Sequence, residues 1–259
     1  MIVASGTFNS PQLLQLSGLG PAPLLQSLGI PIVADAPGVG DRLNDHYAGR
    51  IILRCKEPIT LNDTVRSWSG KIEASLRYAF HAPRLSHRDG DLRRLLRAQC
   101  SMALYSADRI GGELHAFPGV TGVCTLLRPE SRGFVRIRSA DPREAPAIHP
   151  NYLATQKDRE TVVAGVKVLR RIFQAPAMAC HIAEEIEPGQ LCDNDDDSLN
   201  FIRRRGSTTY HPVGTCRMGQ DRNAVAMNGC ACAVARACAW STPRSCRPSF
   251  PAIPTRRRS

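Results

Sequence analysis

A strand, a glycine turn and a helix are written into the opening residues, and that order sets a strand-turn-helix connection at the start of the chain. Met1 to Ala4 is a short apolar run that stops at Ser5-Gly6. Ser10-Pro11 then reads as a helix entry, because serine caps orphan N–H groups and proline is tolerated in a first turn. The helix is predicted over Pro11 to Leu16 and ends at Ser17-Gly18. A helix N-terminus beside a glycine turn offers free N–H groups and the positive end of a dipole. Such a place suits an anionic or electron-rich ligand and serves equally as an ordinary connection; these residues alone leave both open.

The strongest chemical signal is Tyr210-His211-Pro212-Val213-Gly214-Thr215-Cys216-Arg217-Met218-Gly219. A base that removes an alcohol proton must lie within hydrogen-bond reach and titrate near the working pH, which favours imidazole. Pro212 pushes His211 towards an extended conformation, and Gly214 lets the chain turn sharply or pass close to a flat ligand. His211 is therefore the candidate base, with a hydrogen-bonded structural histidine as the plainer alternative.

Together with Gly6-Thr7-Phe8-Asn9-Ser10-Pro11-Gln12-Leu13-Leu14-Gln15-Leu16-Ser17-Gly18-Leu19-Gly20, the decapeptide resembles the glucose-methanol-choline (GMC) family of flavin-dependent alcohol oxidoreductases. Pro37-Gly38-Val39-Gly40-Asp41-Arg42-Leu43-Asn44-Asp45-His46 is similar to that family's flavin-side loop, and Arg128-Pro129-Glu130-Ser131-Arg132-Gly133 to the start of a strand in its substrate domain. Asp141-Pro142 and Pro150-Asn151-Tyr152-Leu153 continue the likeness, which runs from residue 1 to about residue 225. The resemblance implies a mixed α+β and α/β chain holding part of the GMC fold: an antiparallel substrate-domain sheet with helices, plus remnants of the FAD-binding domain. The implied segments are 1–47 from the FAD domain, 48–205 as substrate domain, 206–225 returning to the FAD domain with the active-site turn, and 226–259 as an anomalous tail.

FAD is the implied cofactor and a small alcohol, choline or another primary alcohol, the implied substrate. In that chemistry His211 takes the hydroxyl proton while the carbinol carbon passes a hydride to the flavin N5. Gly6, Ser10, Pro11, Asn44, His46, Pro212 and Val213 are the implied cofactor contacts, with Tyr210 as a wall of the site. The electron acceptor, oxygen or another, is not readable from these residues.

Two departures bear on activity. Gly18-Leu19-Gly20-Pro21 and Gly38-Val39-Gly40-Asp41 begin a dinucleotide-binding pattern, yet neither has its third glycine. Met1 is thus read as lying inside a longer family pattern. Beyond Val225 the family continuation would reach a second active-site His or Asn, whereas here Met227 to Trp240 gives way to a tail of Pro, Arg and Ser. A shifted reading frame is the expected explanation: with Ala239 as GCG and Trp240 as TGG, the shifted bases through Pro243 can spell the family-like Val-Val-Asp-Ala. Genomic sequence offering no single-base alternative would overturn that reading. A catalytically inactive truncated or frame-shifted product is accordingly the alternative to an active enzyme.

Charge raises nucleic acid as a partner and then weakens the case. Arg222 to Ser259 holds seven Arg and no Asp or Glu, so +7 of the net +11 is local and the earlier chain carries +4. The cluster Arg84, Arg88, Arg93, Arg94 and Arg97 has no aromatic between its members to stack bases, and no nucleic-acid partner is expected. Cys230, Cys232, Cys238 and Cys246 lack the paired spacing of a zinc site, so no metal is expected. The other six Cys are scattered without a disulfide framework, which reads as a cytoplasmic protein. No apolar run is long enough for a transmembrane span. Asp158 to Ala175 repeats Val162, Val163, Val166, Leu169 and Phe173 at helical steps, and is predicted as a packing helix. Ile51–Leu53, Gly122–Leu127 and Phe134–Arg138 are predicted as strands, and Ser198–Arg205 as a short helix.

Overall fold

The computed structural model describes residues 2–66, 68–69, 72, 97–109, 111–189, 192, 194–226 and 239–240. Most of the Arg84–Arg97 cluster and of the tail after residue 226, its four cysteines included, lie outside the described residues. The elements are, in chain order, β1 (Ile2–Val3), α1 (Gly6–Leu16), β2 (Leu19–Gly20), α2 (Ala22–Ser27), β3 (Ala34–Asp35), β4 (Asp41–Leu43), β5 (Tyr47–Cys55), α3 (Leu61–Thr64), β6 (Ala98–Ala103), β7 (Gly119–Leu126), β8 (Gly133–Arg136), β9 (Ala147–His149), α4 (Gln156–Gln174), α5 (Pro176–Ala179), β10 (Ile182–Glu187), α6 (Asp195–Arg205), β11 (Ser207–Thr208) and β12 (Ala239–Trp240). They form two compact units. One takes Met1–His46, Arg128–Thr155 and Tyr210–Ser259, and the other takes Tyr47–Leu127 and Gln156–Thr209.

In the first unit α1 begins at Gly6 and not at Pro11, so Pro11 sits inside the helix. A proline there cannot donate to the carbonyl of residue i−4, here Thr7. The Thr215 hydroxyl supplies the missing donor, reaching the Thr7 carbonyl at 2.6 Å. A tertiary bond thus lets the helix run through a residue that reads locally as its start. Buried Gln15 then ties α1 to the unit's sheet: its Nε2 donates to the carbonyls of Val39 and Val135 at 3.1 Å each, and its Oε1 accepts the Ile137 amide at 2.9 Å. That sheet has the antiparallel order β4-β8-β9. β1 pairs in parallel with β12, and β2 with β3. Val3, Leu14, Leu19, Val39, Cys216 and Val225 pack together as the core. The sequence reading ran one substrate domain through 48–205, but Arg128–Thr155 packs in this first unit because β8 pairs with β4.

The second unit is an antiparallel sheet ordered β10-β5-β7-β6, with β11 also paired to β5. The predicted strand at Ile51–Leu53 is the middle of β5, and that at Gly122–Leu127 covers β7 from its fourth residue and runs one residue past its end; the two strands are in register from Ala48 opposite Thr125 to Arg54 opposite Gly119. Helix α4 lies on this sheet and buries Val162, Val163, Val166, Leu169 and Phe173, the face its periodicity picked out. It approaches β7 closely at Gly165, where a Cβ would stand 1.9 Å from the Cys124 sulfur. Helix α6 starts at Asp195, earlier than Ser198, because the Asn194 side chain caps it by accepting the Asp197 amide at 2.9 Å. Three Asp in its first turn and three Arg in its last oppose the helix dipole. Among the described residues no helix is long and apolar enough to cross a membrane.

Candidate active site

The decapeptide is strapped into the first unit from both sides. On one side Asn44 and Val213 exchange backbone hydrogen bonds, at 2.9 Å from the Asn44 amide and 2.8 Å from the Val213 amide. On the other, the Thr7 hydroxyl donates to the Pro212 carbonyl at 2.8 Å, next to the Thr215 bond that completes α1. Gly214 makes this closeness possible: its φ is +100°, and a Cβ would fall 2.5 Å from the Arg42 carbonyl oxygen. The Gly40 amide donates to the Thr215 carbonyl at 2.7 Å and closes the loop from behind.

This strapping brings two histidines together. His211 is exposed and His46 is buried; their Nδ1 atoms are 3.3 Å apart and their rings meet edge to face at 75°. A hydrogen bond between two Nδ1 atoms needs one of them protonated and the other bare. Only one arrangement leaves a lone pair on Nε2 of a neutral His211: His211 donates from Nδ1 and His46 accepts. The contact thus accommodates a base-competent tautomer of His211, with His46 as the acceptor.

The residues chosen from sequence fall into three groups. Gly6, Ser10, Pro11, Pro212 and Val213 line up along the start of α1 and the strand-like run beside it. Gly6 is exposed at φ +78° with open space where a Cβ would point. One turn on, the Ser10 hydroxyl is buried and has no hydrogen-bond partner among the described residues. A buried donor left unmet calls for a partner, and a helix start with free amides suits an anionic or electron-accepting group. These features fit FAD. His46 stands against His211. Asn44 is tied to the neighbouring loop: its buried Nδ2 donates to the Pro129 and Ser131 carbonyls, at 3.2 Å each.

Sequence reasoning missed Asp45 and Tyr152. The buried Asp45 carboxylate accepts the His211 amide at 2.9 Å, and the Tyr152 hydroxyl donates to it at 2.5 Å. Asp45 stands between two residues that were chosen, and Tyr152 lies within a motif that was noticed, so adjacency was the available signal.

The GMC oxidoreductase family models match this chain over residues 1–48 and again over residues 129–234. The chain belongs to the GMC oxidoreductase family. An oxygen-dependent choline dehydrogenase of Cronobacter sakazakii is 35% identical over 241 residues, which cover 87% of this chain and 42% of that protein. An alcohol dehydrogenase [acceptor] of Pseudomonas putida is 36% identical over 238 residues, covering 85% and 42%. The GMC chain therefore spans well under two thirds of the length of the curated relatives it matches. Among solved structures, a variant Aspergillus oryzae formate oxidase, solved for the effect of its mutation on FAD modification, superposes with a TM-score of 0.80 at 22% identity, over 93% of this chain and 48% of that one. A pyridoxine 4-oxidase gives a TM-score of 0.72 at 23% identity, over 92% and 45%. Those two likenesses establish the fold, which is a partial GMC fold. The C-terminal family match reaches residue 234, past about residue 225, where the sequence reading ended the likeness.

Proposed function

We propose that this chain carries the base-bearing side of an FAD-dependent oxidoreductase acting on the CH–OH group of an alcohol, with His211 as the proton acceptor. The observation that carries the reading is the His46–His211 contact, which is compatible with a neutral, exposed His211 whose Nε2 keeps its lone pair. FAD, when bound, supplies the hydride acceptor. The chain's own residues do the rest. His211 takes the hydroxyl proton at Nε2, His46 holds the tautomer through Nδ1, and the Pro212-Val213 segment fixes where the base stands. Gly6, the Ser10 hydroxyl and the first turn of α1 hold the cofactor. Kinship with choline and alcohol dehydrogenases favours choline or another primary alcohol as the substrate. A cytoplasmic setting is favoured by the free thiols among the described residues.

A second reading is a chain that carries this geometry without turnover of its own, and its support is the 42% of each curated relative that the match spans. The test is to mix the purified chain with FAD, remove free flavin by gel filtration, and add choline or aliphatic alcohols without oxygen. Bleaching of bound flavin by an alcohol and not by its methyl ether supports the first reading. Bound flavin that no alcohol bleaches selects the second, and a chain that retains no flavin refutes the assignment of its cofactor residues.

A further inference from the structure

One carboxylate joins two loops of the first unit that are both held in an unfavourable backbone conformation. Tyr210, immediately before His211, has φ +60°, and Asn151 and Leu153, on either side of Tyr152, have φ +57° and +56°. Side-chain-bearing residues rarely adopt the left-handed region, and such residues persist only where their surroundings over-determine them. Asp45 is that surrounding for both loops. Its Oδ1 accepts the His46 and His211 amides at 2.9 Å each, and its Oδ2 accepts the Tyr152 hydroxyl at 2.5 Å. The Tyr152 loop is anchored in turn: the Asn151 Nδ2 donates to the Arg132 carbonyl at 3.0 Å, and the Ser131 hydroxyl accepts the Ala154 amide at 2.9 Å. Asn44 bonds the Ser131 carbonyl from the far side and completes the frame.

We propose that Asp45, braced by Tyr152, is the positioning residue for His211. Its bond goes to the amide of His211 itself, one residue beyond the strained Tyr210, so it sets the Cα from which the imidazole projects. The same oxygen holds the amide of His46 and places the tautomer-selecting ring against the base. A catalytic group displaced by about 1 Å loses on the order of 100-fold in rate, so a brace at this point governs turnover without touching the substrate. The role in turnover rests on the reading of His211 as the base; the placement of His211 does not.

The variants are Tyr152→Phe, which removes one hydroxyl, Asp45→Ala, which removes the acceptor, and Asp45→Asn, which restores an acceptor for both amides. Two measurements on the full chain separate the outcomes. Nuclear Overhauser contacts between the His46 and His211 rings, on histidine-labelled protein, need neither flavin nor alcohol. The limiting rate of flavin reduction on the FAD-loaded chain reports the chemistry. Tyr152→Phe and Asp45→Ala are expected to abolish the ring contact and to slow reduction about 10- to 100-fold at an unchanged half-saturating alcohol concentration. Asp45→Asn is expected to recover the ring contact and most of the rate that Asp45→Ala loses. An intact ring contact in a folded Tyr152→Phe overturns the proposal, even if Asp45→Ala fails to fold. If the ring contact is lost but His211→Ala leaves flavin reduction untouched, the brace stands and the base assignment falls.

Discussion

Alanine is a better helix former than glycine, yet Gly165→Ala is expected to destabilise the second unit. In a helix interior the change would by itself contribute about 1 kcal/mol of stability. At this position the new methyl stands 1.9 Å from the Cys124 sulfur, 3.2 Å from its Cβ and 3.8 Å from the Ala98 Cβ. Cys124 is fully buried in β7, which is paired on both sides, by β5 and by β6. The sulfur therefore has little room to yield, and α4 must lift instead. Overpacking of a closed core costs about 1–3 kcal/mol, and an overlap this deep belongs at the upper end. The net loss is about 1–2 kcal/mol, read by circular dichroism as a lower urea midpoint at unchanged slope. Removing the sulfur reverses the sign: in a Cys124→Ala background Gly165→Ala becomes neutral or stabilising, a coupling of about 1–3 kcal/mol for residues in contact. Stabilisation of the otherwise unaltered chain by Gly165→Ala would refute the close seating of α4 on β7.

Two further changes probe the first unit. Gln15→Leu keeps the volume of a fully buried side chain and strands the Ile137 amide, while the Val39 and Val135 carbonyls keep their bonds from Arg136, so it should cost about 1–3 kcal/mol, measured by denaturant unfolding. The carboxyl of Asp221 is held at about 2 by its hydrogen bond from Arg217. A depressed carboxylate stabilises the fold above the ordinary value of about 4 and loses that contribution as pH falls towards 2, so carbon-detected titration should place Asp221 near 2, and Arg217→Gln should raise it.

How much of this was legible in the chain depends on the distance over which each residue acts. Helix α4 was readable because its burial follows a local 3.6-residue period. The start of α1 was not, because the donor that rescues the Thr7 carbonyl comes from Thr215, 208 residues away. For β8 the alternation was legible and the partner was not: no local signal says that it pairs with β4 in the first unit. At the site, residue type and turn chemistry pointed to His211, and the resemblance to His46. The Asp45–Tyr152 bond, spanning 107 residues, left no trace in either motif by itself.

The central claim is that His211 is the base, and the most direct test is anaerobic stopped-flow reduction of the FAD-loaded chain by its best alcohol, with and without His211→Ala. The variant must retain flavin, since the cofactor residues proposed here lie elsewhere. The expected result is a fall in the limiting reduction rate of roughly two to four orders of magnitude, the scale for losing a general base. An equally loaded His211→Ala that reduces its flavin at the unaltered rate would contradict the account.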